Sequence, residues 1–71
     1  MIKSEIGEKI KTIREENKLS RTQLAIRISR HAPISPRSIE NYENRGTFPS
    51  LRVLKAFKKE FPLFDFNDLL N

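Results

Sequence analysis

Two stretches of the sequence decide the fold: LSRTQLA at residues 19–25 and SPRSIENYEN at residues 35–44. In the first stretch, Ser20 and Gln23 have the spacing of a capping box, in which each side chain hydrogen-bonds to the backbone amide of the other. This pattern predicts that the second helix of the chain begins directly after Ser20. The helix must end before Pro33, because proline disfavours helical geometry in the residue ahead of it.

The second stretch contains a similar start signal. Ser35 is a preferred N-cap, and Pro36 suits the first helical position because the amide that proline lacks would have no partner there. Gly46 lies where a left-handed residue commonly follows a helix. We therefore predict a short third helix over Pro36–Asn44.

Apolar residues repeat at helical spacing on both sides of this pair. Isoleucines at spacings of four and three, beginning at Ile6, predict a first helix over Ser4–Asn17. Ser50 is the expected N-cap of a fourth helix, which Pro62 ends. The stripe that this helix is expected to bury comprises Leu51, Leu54, Phe57 and Phe61.

A fifth, short helix is expected near the end of the sequence, capped by Asp65 or Asn67 and containing Phe66, Leu69 and Leu70. Because no segment has the alternation of a strand, the predicted fold class is all-α: a compact five-helix bundle in a single domain, residues 1–71. Tyr42 and the five phenylalanines fall at helical spacing with the aliphatic residues, which favours packing in the core over stacking on bases.

The charge of the chain is basic and unevenly distributed. The net charge is +5, from 14 basic and 9 acidic residues. No acidic residue lies between Glu16 and Glu40, a segment that carries Lys18, Arg21, Arg27, Arg30, Arg37 and His31. Such a segment suits a polyanionic partner, although a merely solvated basic face is the alternative.

Several classes of protein are disfavoured by composition. The chain has no cysteine, so disulfides, thiolate catalysis and cysteine-based zinc sites are excluded. No apolar run approaches the ~20 residues of a membrane span, and the N-terminal residues do not resemble a signal peptide. We expect a cytoplasmic protein that is not an enzyme, with no cofactor, no metal and no membrane partner.

The third helix has the chemistry needed to read bases. Ile39 and Tyr42 are expected to face inward, which leaves Arg37, Glu40 and Asn41 facing outward. Arginine makes bidentate hydrogen bonds to guanine, asparagine makes them to adenine, and glutamate accepts from cytosine. The carboxylate of Glu40 would alternatively repel phosphate and help to orient Arg37.

The motifs, in this order and spacing, resemble the phage-repressor and Cro type of helix-turn-helix domain, also called the xenobiotic-response-element family. LSRTQLA at 19–25 is similar to its Leu-Ser-x-x-x-Leu-Ala signature, and SIENYEN at 38–44 with Gly46 is similar to the end of its recognition helix. IGEKI at 6–10, PSL at 49–51 and DLL at 68–70 are similar to its first, fourth and fifth helices.

The resemblance implies that helices two and three form the helix-turn-helix motif. It places Pro36, Arg37 and Asn41 at base-contacting positions, to which the chemistry above adds Glu40. It also implies an ion pair between Arg14 and Glu43, which would link the first helix to the third. The predicted contacts to the sugar-phosphate backbone are Ser20, Arg21, Ser35, Ser38, Asn44 and Arg45.

The chain departs from the family between the two helices of the motif. Ser29–Ile34 lengthens the turn by about four residues, close to one helical turn at ~3.6 residues. The insertion either extends the second helix or forms a loop. Pro36 also stands where the family often has a polar side chain, so only methyl contact with thymine is expected from it.

The predicted function is that of a sequence-specific regulator of transcription, with repression as the favoured sense. Its partner is double-stranded DNA, bound as a homodimer, and an additional domain or protein partner is possible. The alternative is a protein-interaction module, such as an antitoxin or adaptor, that would dock through an apolar cluster at Leu63, Phe64, Phe66, Leu69 and Leu70.

Overall fold

The computed structural model describes residues 5–63, and this part of the chain contains four α-helices. Helix α1 is Glu5–Glu16, α2 is Arg21–Ile28, α3 is Pro36–Asn44 and α4 is Leu51–Glu60. Helix α3 packs against both α1 and α2, and α2 also packs against α4. The pair α2 and α3 therefore lies between α1 and α4.

The first helix ends in a Schellman motif. The Lys18 amide donates to the Glu15 carbonyl at 3.0 Å, and the Leu19 amide donates to the Arg14 carbonyl at 2.9 Å. Lys18 has φ 55°, a left-handed conformation that costs a non-glycine residue about 1 kcal/mol. The two capping hydrogen bonds offset that cost and turn the chain toward α2.

Both predicted caps of the helix-turn-helix pair are present. The Gln23 amide donates to Ser20 Oγ at 3.0 Å, and the Ser20 amide donates to Gln23 Oε1 at 2.8 Å. At α3, Ser35 is the N-cap and Pro36 occupies the first turn. The predicted bounds Pro36–Asn44 are confirmed.

The lengthened turn after α2 is compact. The amides of His31 and Ala32 both donate to the Ile28 carbonyl, at 2.9 and 3.1 Å. Ser29 Oγ donates to the Ala25 carbonyl at 2.7 Å and lies 3.3 Å from the Ile34 carbonyl. The insertion therefore does not extend α2, which ends at Ile28; it winds into a tight turn that buries Ala32 in the core, where it is 2% exposed.

The core is built from the inward sides of all four helices. Full burial of a large apolar side chain contributes about 1.5–3 kcal/mol, so the largest such residues dominate the stability of the fold. They are Ile6, Ile10, Leu24, Ile28, Ile39 and Phe57.

Three predictions about helices and packing need correction. The five-helix bundle is wrong: the described residues form four helices, and the expected fifth, at Asp65–Leu70, lies outside them. Leu51 is not in the buried stripe of α4 but is 60% exposed, because at about 100° per residue it lies on the outer side of the helix, opposite Val53, Ala56 and Phe57. Phe48, in the loop before α4, is 53% exposed.

The predicted burial of the other aromatic side chains can be checked only within residues 5–63. Tyr42, Phe57 and Phe61 are buried as expected, whereas Phe64 and Phe66 lie outside the described residues. Within residues 5–63, no helix has the length and apolar character required to cross a membrane.

Candidate nucleic-acid interface

Helix α3 has two sharply different sides. At about 100° per residue, its exposed residues and the half-buried Asn41 occupy one arc of about 140°. That arc comprises Pro36, Arg37, Glu40, Asn41 and Asn44. The opposite side is buried and carries Ile39, Tyr42 and Glu43. The four residues predicted to contact bases, Pro36, Arg37, Glu40 and Asn41, thus lie on one outward surface, which we call the α3 outer face.

The Arg37 and Asn41 side chains of the α3 outer face are available to bind a ligand. Neither the Arg37 guanidinium nor the Asn41 carboxamide has a hydrogen-bond or ion-pair partner among residues 5–63. No buried side-chain nitrogen or oxygen is left unpaired in that part of the chain, so the free carboxamide of Asn41 is reached by solvent. These groups can therefore exchange water for a ligand without breaking a contact within the protein.

The start of α3 fixes its serines in a local network. The Ser38 amide donates to Ser35 Oγ at 3.3 Å, and the two serine hydroxyls lie 3.2 Å apart. Burial raises the pKa of the Tyr42 hydroxyl, although its hydrogen bond with Ser38 acts in the opposite direction. Ser35 is exposed and Ser38 half-buried, so of these two predicted backbone contacts Ser35 is the more accessible.

A buried carboxylate holds α3 in place. The Glu43 side chain is 0% exposed, and Arg14 of α1 donates to it twice: Nε to Oε2 at 2.8 Å and Nη2 to Oε1 at 3.1 Å. Arg14 Nη1 also donates to the Leu19 carbonyl at 3.1 Å. The pair implied by the resemblance is thus present as a bidentate ion pair, and the hydrogen bond with Glu43 raises the pKa of Arg14.

Arg21 is a second partner of Glu43, which sequence analysis did not anticipate. Its Nε and Nη2 atoms lie 3.4 and 3.3 Å from Glu43 Oε1, and its side chain remains 38% exposed. Two guanidiniums share one carboxylate, so the trio keeps one positive charge. Arg21 is the member that solvent reaches, beside the start of α2, where it was predicted to contact phosphate.

The other predicted backbone contacts lie at the ends of the two helices. Ser20 is exposed at the start of α2, and Asn44 and Arg45 are exposed at the end of α3. The Arg45 amide donates to the Asn41 carbonyl at 3.0 Å, and Gly46 follows with φ 70°, the left-handed conformation that was predicted. The chain thus leaves α3 with Arg45 in solvent next to the α3 outer face.

A second cluster of charges lies at the end of α4. Arg27 Nε donates to Glu60 Oε2 at 2.8 Å, and His31 Nε2 lies 3.0 Å from Glu60 Oε1. The Arg27 guanidinium also lies over the Phe61 ring, 4.8 Å from its centre. These hydrogen bonds, that of Arg27 first, lower the pKa of Glu60. Glu60 therefore anchors the lengthened turn, through His31, to α4.

A groove of about 590 Å³ lies between α1 and the end of α4, lined in part by Thr12, Ile13, Phe61 and Leu63. None of the residues of the α3 outer face lines it.

Among residues 5–63 there is no group of three histidine, cysteine, aspartate or glutamate side chains placed to hold a metal ion. Comparison with known proteins also identified no relative: no family model, curated protein or solved structure matches the chain.

Proposed function

We propose that this chain binds double-stranded DNA sequence-specifically through the α3 outer face, and that it regulates transcription, with repression as the favoured sense. The observation that supports the proposal is the division of α3 into an anchored side and an open side. The major groove is about 12 Å wide and admits one helix. A helix that reads bases must be held by its own protein on one side and offer polar groups on the other, as α3 does.

The contacts follow from the chemistry of the open side. The Arg37 guanidinium reads guanine O6 and N7, and the Asn41 carboxamide reads adenine N6 and N7. Each such pair contributes about 1–3 kcal/mol of discrimination against the wrong base. Glu40, which is exposed on the same face, accepts from cytosine N4 or orients Arg37.

Phosphate contacts fix the helix in the groove. The N-termini of α2 and α3 carry backbone amides that favour anions, and Ser20, Arg21 and Ser35 lie there. Asn44 and Arg45 serve the same purpose at the other end of α3. In this proposal two copies bind as a homodimer to half-sites about 34–36 Å apart, so the operator is palindromic.

Selection of binding sites from a random duplex pool tests the proposal. The expected winner is a palindrome, bound with an affinity that falls steeply with salt. In the selected duplex, Arg37→Ala and Asn41→Ala should each lose discrimination at one base pair by about thirtyfold, which corresponds to ~2 kcal/mol, the middle of the range for one bidentate contact.

Arg37→Lys is the matched control, because it keeps the charge but loses the planar fork that reads guanine. It should lose less discrimination than Arg37→Ala does, because an ammonium group still donates to guanine O6 or N7, while its affinity for random duplex stays that of the wild type. Equal affinity of the wild type for every duplex would refute specific readout. A tight complex with another protein, without salt-sensitive DNA binding, would favour the interaction module instead.

A further inference from the structure

The outer side of α4 carries a second concentration of positive charge, separate from the α3 outer face. Arg52, Lys55, Lys58 and Lys59 are all exposed, and at about 100° per residue they occupy one arc of about 120°. We call these four residues the α4 basic face. The opposite side of the helix carries Val53, Leu54, Ala56 and Phe57, which are buried in the core.

No acidic residue balances this charge on α4. The sequence contains neither aspartate nor glutamate from Asn44 to Lys59. Glu60, the one acid of the helix, is turned toward Arg27 and His31. Arg52, Lys55 and Lys59 make no ion pair within residues 5–63. The positive charges of Arg52, Lys55 and Lys59 are therefore available to an external anion.

We infer that the α4 basic face is a second phosphate-binding surface, which contacts the DNA backbone beside the bases that α3 reads. The inference rests on the proposed function for the identity of the polyanion. From Arg52 to Lys59 the helix rises about 10 Å, at 1.5 Å per residue. One strand of B-DNA presents a phosphate every ~3.4 Å along the axis, so the face spans about three phosphates.

The side chains suit backbone contact rather than base readout. Three of the four are lysines, whose ammonium groups are point charges on flexible stems and lack the planar fork of arginine. Contacts of this kind position a protein on the duplex without reading its sequence. The α4 basic face therefore adds affinity for all duplexes alike.

The connection between the helices limits how far the start of α4 lies from the end of α3. Only residues 45–50 separate the end of α3 from the start of α4, so the two ends lie at most about 25 Å apart. That is shorter than one turn of duplex, about 34 Å. Arg45, in the connection, is itself exposed, and the positive charge thus continues from the α3 outer face to Arg52.

Other anionic partners fit the observations less well. A membrane-surface helix must bury its apolar side in lipid, whereas the apolar side of α4 forms the core. A single-stranded nucleic acid is bound with aromatic stacking platforms, and the α4 basic face has no aromatic residue. Flexible point charges on a straight, solvent-exposed helix match the regular phosphates of a duplex.

The test is the salt dependence of DNA binding by the variant Arg52→Gln/Lys55→Gln/Lys59→Gln. Anisotropy titrations with the selected duplex and with a random duplex of equal length would span 50–200 mM salt. Each lost phosphate contact makes the slope of log K against log salt shallower by about 0.9. The triple variant should therefore lose up to about 2.7 in slope, with the affinity reduced by the same factor for both duplexes.

Single substitutions provide the matched controls and avoid dependence on the triple variant. Lys55→Gln and Lys11→Gln each remove one charge from the middle of a helix, but Lys11 is a half-buried residue of α1 and is not part of the α4 basic face. Lys55→Gln should flatten the slope by about 0.9, whereas Lys11→Gln and the charge-preserving Lys55→Arg should retain the wild-type slope.

Two results would overturn the inference: a wild-type slope for the triple variant, or an equal loss from Lys11→Gln, which would show that only net charge acts. Failure of the proposed function looks different. If α3 does not read bases, Arg37→Lys leaves discrimination unchanged, while the slope still responds to Lys55→Gln. Absence of binding to any duplex at low salt would refute both proposals.

Discussion

Glu43 and Glu60 each lie within hydrogen-bond distance of two basic side chains, but they lie at different depths. The side chain of Glu43 is 0% exposed, and its main partner, Arg14, is 15% exposed. The side chain of Glu60 is 9% exposed, and its partners Arg27 and His31 are 35% and 27% exposed. Glu43 joins three helices beneath the α3 outer face, whereas Glu60 fastens the lengthened turn to the end of α4.

The difference teaches that the burial of the ion pair, rather than the number of partners, sets how much each carboxylate contributes to the stability of the fold. Removal of one member of a buried pair leaves the other without water or a counter-charge, which is strongly destabilising. At the Glu60 cluster, solvent reaches the cations and replaces a lost partner, so the expected cost is that of a partly screened surface pair. Three predictions test this comparison.

The largest effect is expected for Glu43→Gln. Because this change leaves the Arg14 guanidinium partly buried without its carboxylate, unfolding free energy should fall by about 3–5 kcal/mol. Urea denaturation followed by circular dichroism measures the loss. Glu40→Gln, on the exposed side of the same helix, is the control and should change stability by less than about 0.5 kcal/mol. Equal stability of the two variants would contradict the assignment of Glu43 as an anchor.

A smaller effect is expected for Glu60→Gln. Discounted for solvent screening, the loss should be about 1 kcal/mol, which lowers the melting temperature of a domain of this size by about 4–8 °C. Calorimetry of this variant beside Glu16→Gln, an exposed acid of α1, measures it. A loss as large as that of Glu43→Gln would show that exposure does not separate the two clusters.

The smallest effect is expected in the acid range and concerns Glu60 alone. Its pKa lies below the ordinary value of 4.5 in the folded chain. The ionised carboxylate therefore contributes stability that is fully present above pH 4.5 and is lost as the pH falls through the lowered pKa. The stability difference between wild type and Glu60→Gln should shrink toward zero as the pH falls from 4.5 through the lowered pKa of Glu60. Urea midpoints measured at several pH values check this, and a difference that grows on acidification would contradict it.

Much of the local structure was predictable because it depends on neighbours in the sequence. The capping box of Ser20 and Gln23, the start of α3 at Pro36 and the left-handed Gly46 each require groups within a few residues of one another. The residues predicted to contact bases were placed on one outward surface for the same reason, since helical periodicity alone orders them around α3.

Other features required contacts between distant parts of the chain. Arg21 and Glu43 are 22 residues apart, and Arg27 and Glu60 are 33 apart, so no local pattern pairs them. Leu51 shares the spacing of the buried stripe of α4, but its exposure depends on whether a neighbouring helix covers it. The run without acidic residues before Glu60 was visible in the sequence. Whether the positive charge of α4 is available to a ligand depended on which side chains Glu60 contacts in the folded chain.

The sequence by itself determined the helical class, the caps of α2 and α3, the bounds of α3, and the polar character of the α3 outer face, because these follow from spacing and from hydrogen bonds over three or four residues. Only the tertiary structure decided that the insertion Ser29–Ile34 folds into a tight turn with Ala32 in the core and His31 on Glu60. The physical reason is that packing of a side chain and pairing of a charge depend on surfaces that come together only when distant helices meet.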